Sequence, residues 1–141
     1  MRIVADTNTV VSGLLWPGKP RSLLDAARAG AFQLTTTQPL LDELSKVLER
    51  RKFTGRLERA GQSVTALLSA YRDLAETVVS AQITPAVIAD PDDDAVLAAA
   101  LGGRADLIVS GDAHLLNLKH FHHIHIITTD EALALIAKMS S

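Results

Sequence analysis

Carboxylates at four places along this chain have the types and spacing for chemistry. Asp6 follows the apolar run Ile3-Val4-Ala5, and Asp112 follows Leu107-Ile108-Val109-Ser110-Gly111. Asp90-Pro91-Asp92-Asp93-Asp94 stands just before the helix-patterned AVLAAAL, and Glu43 lies within PLLDELSKVLER. One Asp suffices to cap a helix, and acids in a first turn suit the helix dipole. Each further neighbour adds repulsion that reaches ~4 kcal/mol per pair at about 4 Å and an effective dielectric of about 20. Surplus carboxylates without matching cations nearby in sequence are what a hard divalent ion requires, above all Mg2+ or Mn2+. In the Glu43 segment, Leu40, Leu41, Leu44, Val47 and Leu48 form the apolar stripe, which puts Asp42 nearly opposite and Glu43 at the stripe's edge. Glu43 is therefore the better candidate of the two.

The chain has no Cys, which excludes disulfides, Cys-ligated zinc, iron–sulfur clusters and thiol nucleophiles, and fits a reducing cytoplasm. His120, His122, His123 and His125 alternate around Ile124 and Ile126. Neighbours there point to opposite faces of a strand, so solvated edge histidines are expected rather than a metal site.

Positioning these acids needs a scaffold. With 141 residues, 48% hydrophobic and 21% charged, one folded domain is expected over 1–141. No export signal and no apolar run long enough for a membrane span is visible. Strand patterns at Arg2–Ala5, Phe32–Thr35, Thr77–Ser80, Leu107–Ser110 and Ile124–Thr128 alternate with helix patterns near 20–29, 38–50, 56–75, 93–102 and 130–138. Shorter turns are expected after Asn8 and Asp112. That alternation predicts an α/β fold, a three-layer α/β/α sandwich around a central five-stranded parallel sheet. Ligands of such sheets bind beyond the carboxyl ends of the strands, where Asp6 and Asp112 stand. Residues 38–75 exceed a minimal crossover and are expected to form a helical arm, with Gly55 and Gly61 as breaks.

The net charge of -2 hides an asymmetry: residues 1–72 hold eleven Lys and Arg against six Asp and Glu, residues 73–141 three against ten. Lys46, Arg50, Arg51, Lys52, Arg56 and Arg59 cluster in the basic half, as a phosphate-tracking surface or as a solvated helix end. Five aromatics, Trp16, Phe32, Phe53, Tyr71 and Phe121, look too few and too scattered for a base-stacking platform.

ADTNTVVSGLL, Glu43, ADPDDDAVLAAAL and LIVSGDAHLL, in that order, resemble the PIN domain family of small metal-dependent nucleases. The DPxDD and (S/T)GDxxLL variants resemble its branch of VapC-like toxins of type II toxin–antitoxin systems. The resemblance implies catalytic and metal-binding roles for Asp6, Glu43, Asp93 and Asp112, and a metal-binding role for Asp94 beside them. Alignment on DPxD selects Asp93 as the third acid and alignment on DxxLAxA selects Asp94, with Asp93 preferred. Asn8 and Ser110 take the supporting polar positions, orienting acids or the metal's waters. Thr128-Thr129-Asp130 departs from relatives that often have Pro before the last helix.

Implied with these residues are Mg2+ or Mn2+, cleavage of RNA to a 5′ phosphate and a 3′ hydroxyl, and RNA contacts at Arg50, Arg51 and Arg56. A small antitoxin partner and a homodimer in the cytoplasm are also implied. A degenerate PIN fold kept as a protein-interaction module would show a gap in the acidic set, and none is seen. A HAD-like phosphohydrolase resembles DxDx(T/V), and Asn8 stands where that family's second Asp belongs.

Overall fold

The computed structural model describes residues 1–84 and 91–139. Asp90, part of the expected turn before the acidic helix, lies outside the described residues. Among these residues a single six-stranded sheet has the order β3 (Glu76–Val78), β2 (Gln33–Thr37), β1 (Arg2–Ala5), β4 (Leu107–Val109), β6 (Ile124–Ile127) and β5 (His120–Phe121). The first five in that order are parallel, and the sixth corrects the expectation of five strands. β5 pairs antiparallel with β6, His120 opposite His125 and Phe121 opposite Ile124. Positive φ at Lys119 and His122 allows this tight reversal, and a two-residue strand leaves no periodicity to read.

Strand alternation sorts the core into two faces. Ile3, Ala5, Leu34, Leu107 and Val109 join one cluster with residues of α1 (Thr7–Leu15), α2 (Lys19–Arg28), α3 (Gln38–Leu48), α4 (Arg51–Ala60), α5 (Val64–Leu74) and α8 (Thr129–Met139). Val4, Ile108, Ile124 and Ile126 face the other way, against α6 (Pro91–Gly102) and α7 (Ala113–Leu118). The result is the three-layer sandwich. Each fully buried Leu or Ile contributes about 1.5–3 kcal/mol.

Two helices stand where shorter turns were expected, α1 at the first of these places and α7 after Asp112. A shorter turn was expected after Asn8, and Thr7, Thr9, Val10 and Val11 are poor helix formers. Instead, α1 starts at Thr7, its first turn capped by Asp6 and its β-branched residues largely buried, so capping and packing override propensity. The helix pattern near 56–75 divides between α4 and α5 at Gly61, one of the two glycines expected as breaks. Gly61 ends α4 at φ 65, a left-handed conformation favouring glycine, and the Ser63 hydroxyl then accepts from the Ala66 amide to start α5. Gly55 lies inside α4 and breaks nothing. Across 38–75, α3, α4 and α5 send Leu44, Val47, Phe53, Leu57, Leu67 and Tyr71 into the first core cluster.

No helix among the described residues is long and apolar enough to cross a membrane.

Candidate metal centre

Neighbouring parallel strands β1 and β4 carry the first two acids. Ala5 is in register with Val109, and the Asp6 amide donates to the Val109 carbonyl at 3.0 Å. Here the chain, having built β1, β2 and β3 outward to one side, crosses over to continue with β4 on the other. Such a topological switch opens a crevice at the carboxyl ends of the strands.

Asp6 is 6% exposed, and both its carboxylate oxygens are held. Oδ1 accepts from the Thr9 amide at 2.9 Å, and Oδ2 accepts from the Ser110 hydroxyl. Ser110 Oγ in turn accepts from the Asp112 amide at 2.9 Å, so one buried hydroxyl ties the two acids together. Asp112 Oδ1 accepts from the amides of His114 at 2.7 Å and Leu115 at 3.2 Å, capping α7. The other Asp112 oxygen makes no hydrogen bond among the described residues and is free to take a ligand.

Two more helices close the site. α6 carries Asp92, Asp93 and Asp94 in its first turn, and Asp93 is buried at 6% exposure. α3 supplies Glu43, half-buried at the edge of its apolar stripe. Asp6, Asn8, Glu43, Asp92, Asp93 and Asp112 line one cavity of about 210 Å³, with Arg50 also at its wall. Asp6, Asn8 and Asp112 also border an open groove of about 670 Å³ that runs past Ser12, Lys19, Ser110 and Thr128. The amino ends of α1, α6 and α7 all adjoin the acids. Their partial positive charge offsets carboxylate repulsion by typically 0.3–1 kcal/mol per helix.

Behind Asp6 lies Tyr71, whose phenol is pushed well above its ordinary range by burial and, secondarily, by the Asp6 charge.

Asp6, Glu43, Asp93, Asp112, Asn8 and Arg50 thus come together at one cavity. Asp94 is half-buried and lines neither cavity nor groove. Asp42 is exposed and accepts from the Gln38 amide group at 2.8 Å. Arg51 is exposed and lies at neither space. Arg56 is anchored to the fold, with Nε donating to the Leu15 carbonyl at 2.7 Å.

Two residues at the site were not singled out from sequence. Ligand atoms of Asp93, Asp112 and His114 all lie within 4.8 Å of one another, a grouping that could hold a metal ion. His114 stands two residues after Asp112 at the start of a helix, and that adjacency was its only sequence signal. Asp92 reaches the cavity wall, yet in sequence it is one of three consecutive acids with nothing to distinguish it. The other four histidines are exposed around the β5–β6 hairpin and join no metal-type group among the described residues.

A family model of the PIN domain matches residues 2–114, a span that includes every acid of the cavity. No curated protein matches the chain. PIN domains are generally nucleases, and the acidic crevice at the β1/β4 switch point stands within the matched span. By its fold and by that match, the chain belongs to the PIN domain family.

Proposed function

We propose that the protein is a Mg2+- or Mn2+-dependent endoribonuclease and the toxin of a toxin–antitoxin pair. The observation that carries the nuclease reading is the convergence of Asp6, Glu43, Asp93 and Asp112, from four separate elements, on one cavity of about 210 Å³ in a PIN fold.

The donor set suits the ion. Mg2+ uses few carboxylates, keeps several waters and takes substrate phosphates as further ligands. A water occupies about 30 Å³ of liquid, so the cavity has room for a partly hydrated ion beside the acids. Asp6, Glu43, Asp93 and Asp112 would hold it, with His114 at its edge. When bound, it would supply Lewis-acid charge that eases deprotonation of water and offsets negative charge on the phosphoryl group.

The chain's own residues fix the geometry. Ser110 and the Thr9 amide lock Asp6 in place, so its carboxylate needs no reorganisation when substrate arrives. Asn8 stands where cavity and groove meet, with a carboxamide suited to donate to a phosphate oxygen. Arg50 at the cavity wall offers a guanidinium for the flanking phosphate. Water attacks phosphorus, the bond to the 3′ oxygen breaks, and that oxygen leaves protonated. The products carry a 5′ phosphate and a 3′ hydroxyl. The open groove beside the cavity gives the RNA strand a way in.

The toxin role is supported by the DPxDD and SGDxxLL segments and brings with it a small antitoxin, a homodimer and a cytoplasmic setting. A degenerate interaction module has no observation in its favour, since no acid of the set is missing. Family membership removes the HAD-like alternative.

The test is product-end mapping on a pool of structured and single-stranded RNA incubated with Mn2+, Mg2+ or EDTA. Cleavage with metal alone, leaving 5′ phosphates, is expected. Cleavage in EDTA that leaves cyclic 2′,3′ phosphates would contradict it.

A further inference from the structure

Aromatic residues that look scattered along the chain are not all scattered in space. Trp16, just after α1, meets Phe53 of α4 edge-on, with 5.8 Å between ring centroids and 61° between planes. The Arg56 guanidinium lies over the indole at 5.9 Å, and the Lys52 ammonium lies over Phe53 at 5.1 Å. Both are within the range of cation–π attraction. Arg56 is itself tied to the Leu15 carbonyl, so the indole is held in a fixed orientation from two sides. It is nevertheless 40% exposed.

An exposed apolar side chain is ordinary by itself. What distinguishes Trp16 is the combination of a fixed ring, surrounding cations and its route to the acidic cavity. Arg50, the residue that precedes α4, lines that cavity, and Arg56 follows six residues later, ~9 Å along the helix axis. The exposed surface of α4 between and beyond them includes Arg51, Lys52, Thr54 and Arg59, one acid, Glu58, and no large apolar side chain. A protein partner would find little apolar area to bury there. A polyanion that also carries flat apolar faces matches both the cations and the ring.

We propose that Trp16 is a stacking site for an unpaired base of the RNA substrate, a few nucleotides from the scissile bond, with Arg50 and Lys52 tracking the phosphates between. This rests on the nuclease reading and adds to it a preference for single-stranded RNA beside the cut. Base stacking on one aromatic ring changes affinity roughly five- to hundredfold, with little sequence preference.

Trp16 is the chain's only Trp, so its fluorescence reports this place alone. The experiment titrates the full chain carrying Asp6→Asn, which preserves the RNA, with three labelled ligands of equal length. They are a mixed-sequence single strand, an abasic strand and a duplex. Anisotropy reads binding and Trp emission reads stacking. The single strand is expected to quench Trp16, and the abasic strand to bind five- to hundredfold more weakly without quenching. The duplex should quench little.

With metal and the wild-type acids, Trp16→Leu is expected to raise KM for long RNA by a similar factor with kcat retained, and Trp16→Phe to restore most of it. Equal binding of single and abasic strands, or no Trp response to a strand that binds, overturns the proposal whether or not Trp16→Leu folds. A concentration-dependent shift of emission and of molecular size without RNA also overturns it, in favour of a second copy. If the wild-type chain still cleaves RNA in those cases, only the stacking site fails. If it neither binds nor cleaves RNA, the nuclease reading fails as well.

Discussion

Ser110 carries no charge, yet the acidic centre depends on it. Its buried hydroxyl donates to Asp6 and accepts from the Asp112 amide, setting the spacing of two acids that would otherwise repel. The small hydroxyl before Gly-Asp was visible in sequence as a supporting residue, but a bond spanning 104 positions of chain was not. Asp6 and Asp112 were legible because an Asp directly after an apolar run lands at a strand's carboxyl end. His114 was not, because its role depends on α6 arriving beside α7, a tertiary fact with no local pattern. Tyr71 gives this scale its own test. An unfolded Tyr titrates near 10, whereas burial and the Asp6 charge raise the folded value. The stability this contributes is full below about pH 10 and is lost as pH rises above it. Tyr71 is the only Tyr, so tyrosinate absorbance reports it directly. The folded protein is expected to show none at pH 10, and Tyr71→Phe should lose less stability between about pH 10 and 12 than the wild type. Ordinary titration near pH 10 in a folded chain would show that the phenol is not in the buried setting described.

At the scale of elements, the phase of α3 separates two adjacent acids. The apolar stripe Leu40, Leu41, Leu44, Val47 and Leu48 was readable at helical spacing, and the structure buries all five. Asp42 consequently faces solvent and bonds Gln38, while Glu43 reaches the cavity. Glu43→Gln is expected to lower kcat at least a hundredfold, and Asp42→Asn to stay within about twofold, in a cleavage assay on one RNA. Equal losses would mean that α3 presents a different face to the metal. Less legible were α1 and which glycine breaks the arm. In α1 a cap and burial outweigh β-branched residues, and of Gly55 and Gly61, both expected as breaks, only Gly61 takes the left-handed conformation that ends a helix. Both cases share one physical reason. Propensity is worth only tenths of a kcal/mol per residue, so one cap or one positive φ decides the boundary.

For the molecule as a whole, the charge asymmetry between the two halves has a spatial meaning. The basic half provides Arg50, the acidic half provides Asp92, Asp93 and Asp112, and they meet at the cavity, with the cations of α4 following directly after Arg50. The layered α/β architecture was legible from alternating patterns, since a parallel sheet needs helices on both faces. The short antiparallel β5 was not, because two residues carry no period. The proposed function makes the acids from four elements one metal-dependent nuclease centre. Its most direct test is the rate of RNA cleavage by the wild type and by Asp6→Asn, in Mn2+ and in EDTA, on protein shown by thermal melting to be folded. Asn keeps the cap to the Thr9 amide, and the repulsion this change relieves opposes the loss of the Ser110 bond to the second oxygen, so metal-free melting should change little. Cleavage should occur only for the wild type with metal, falling at least a thousandfold in Asp6→Asn, about 4 kcal/mol in the barrier. Equal cleavage by both folded proteins, or cleavage indifferent to EDTA, would contradict the account.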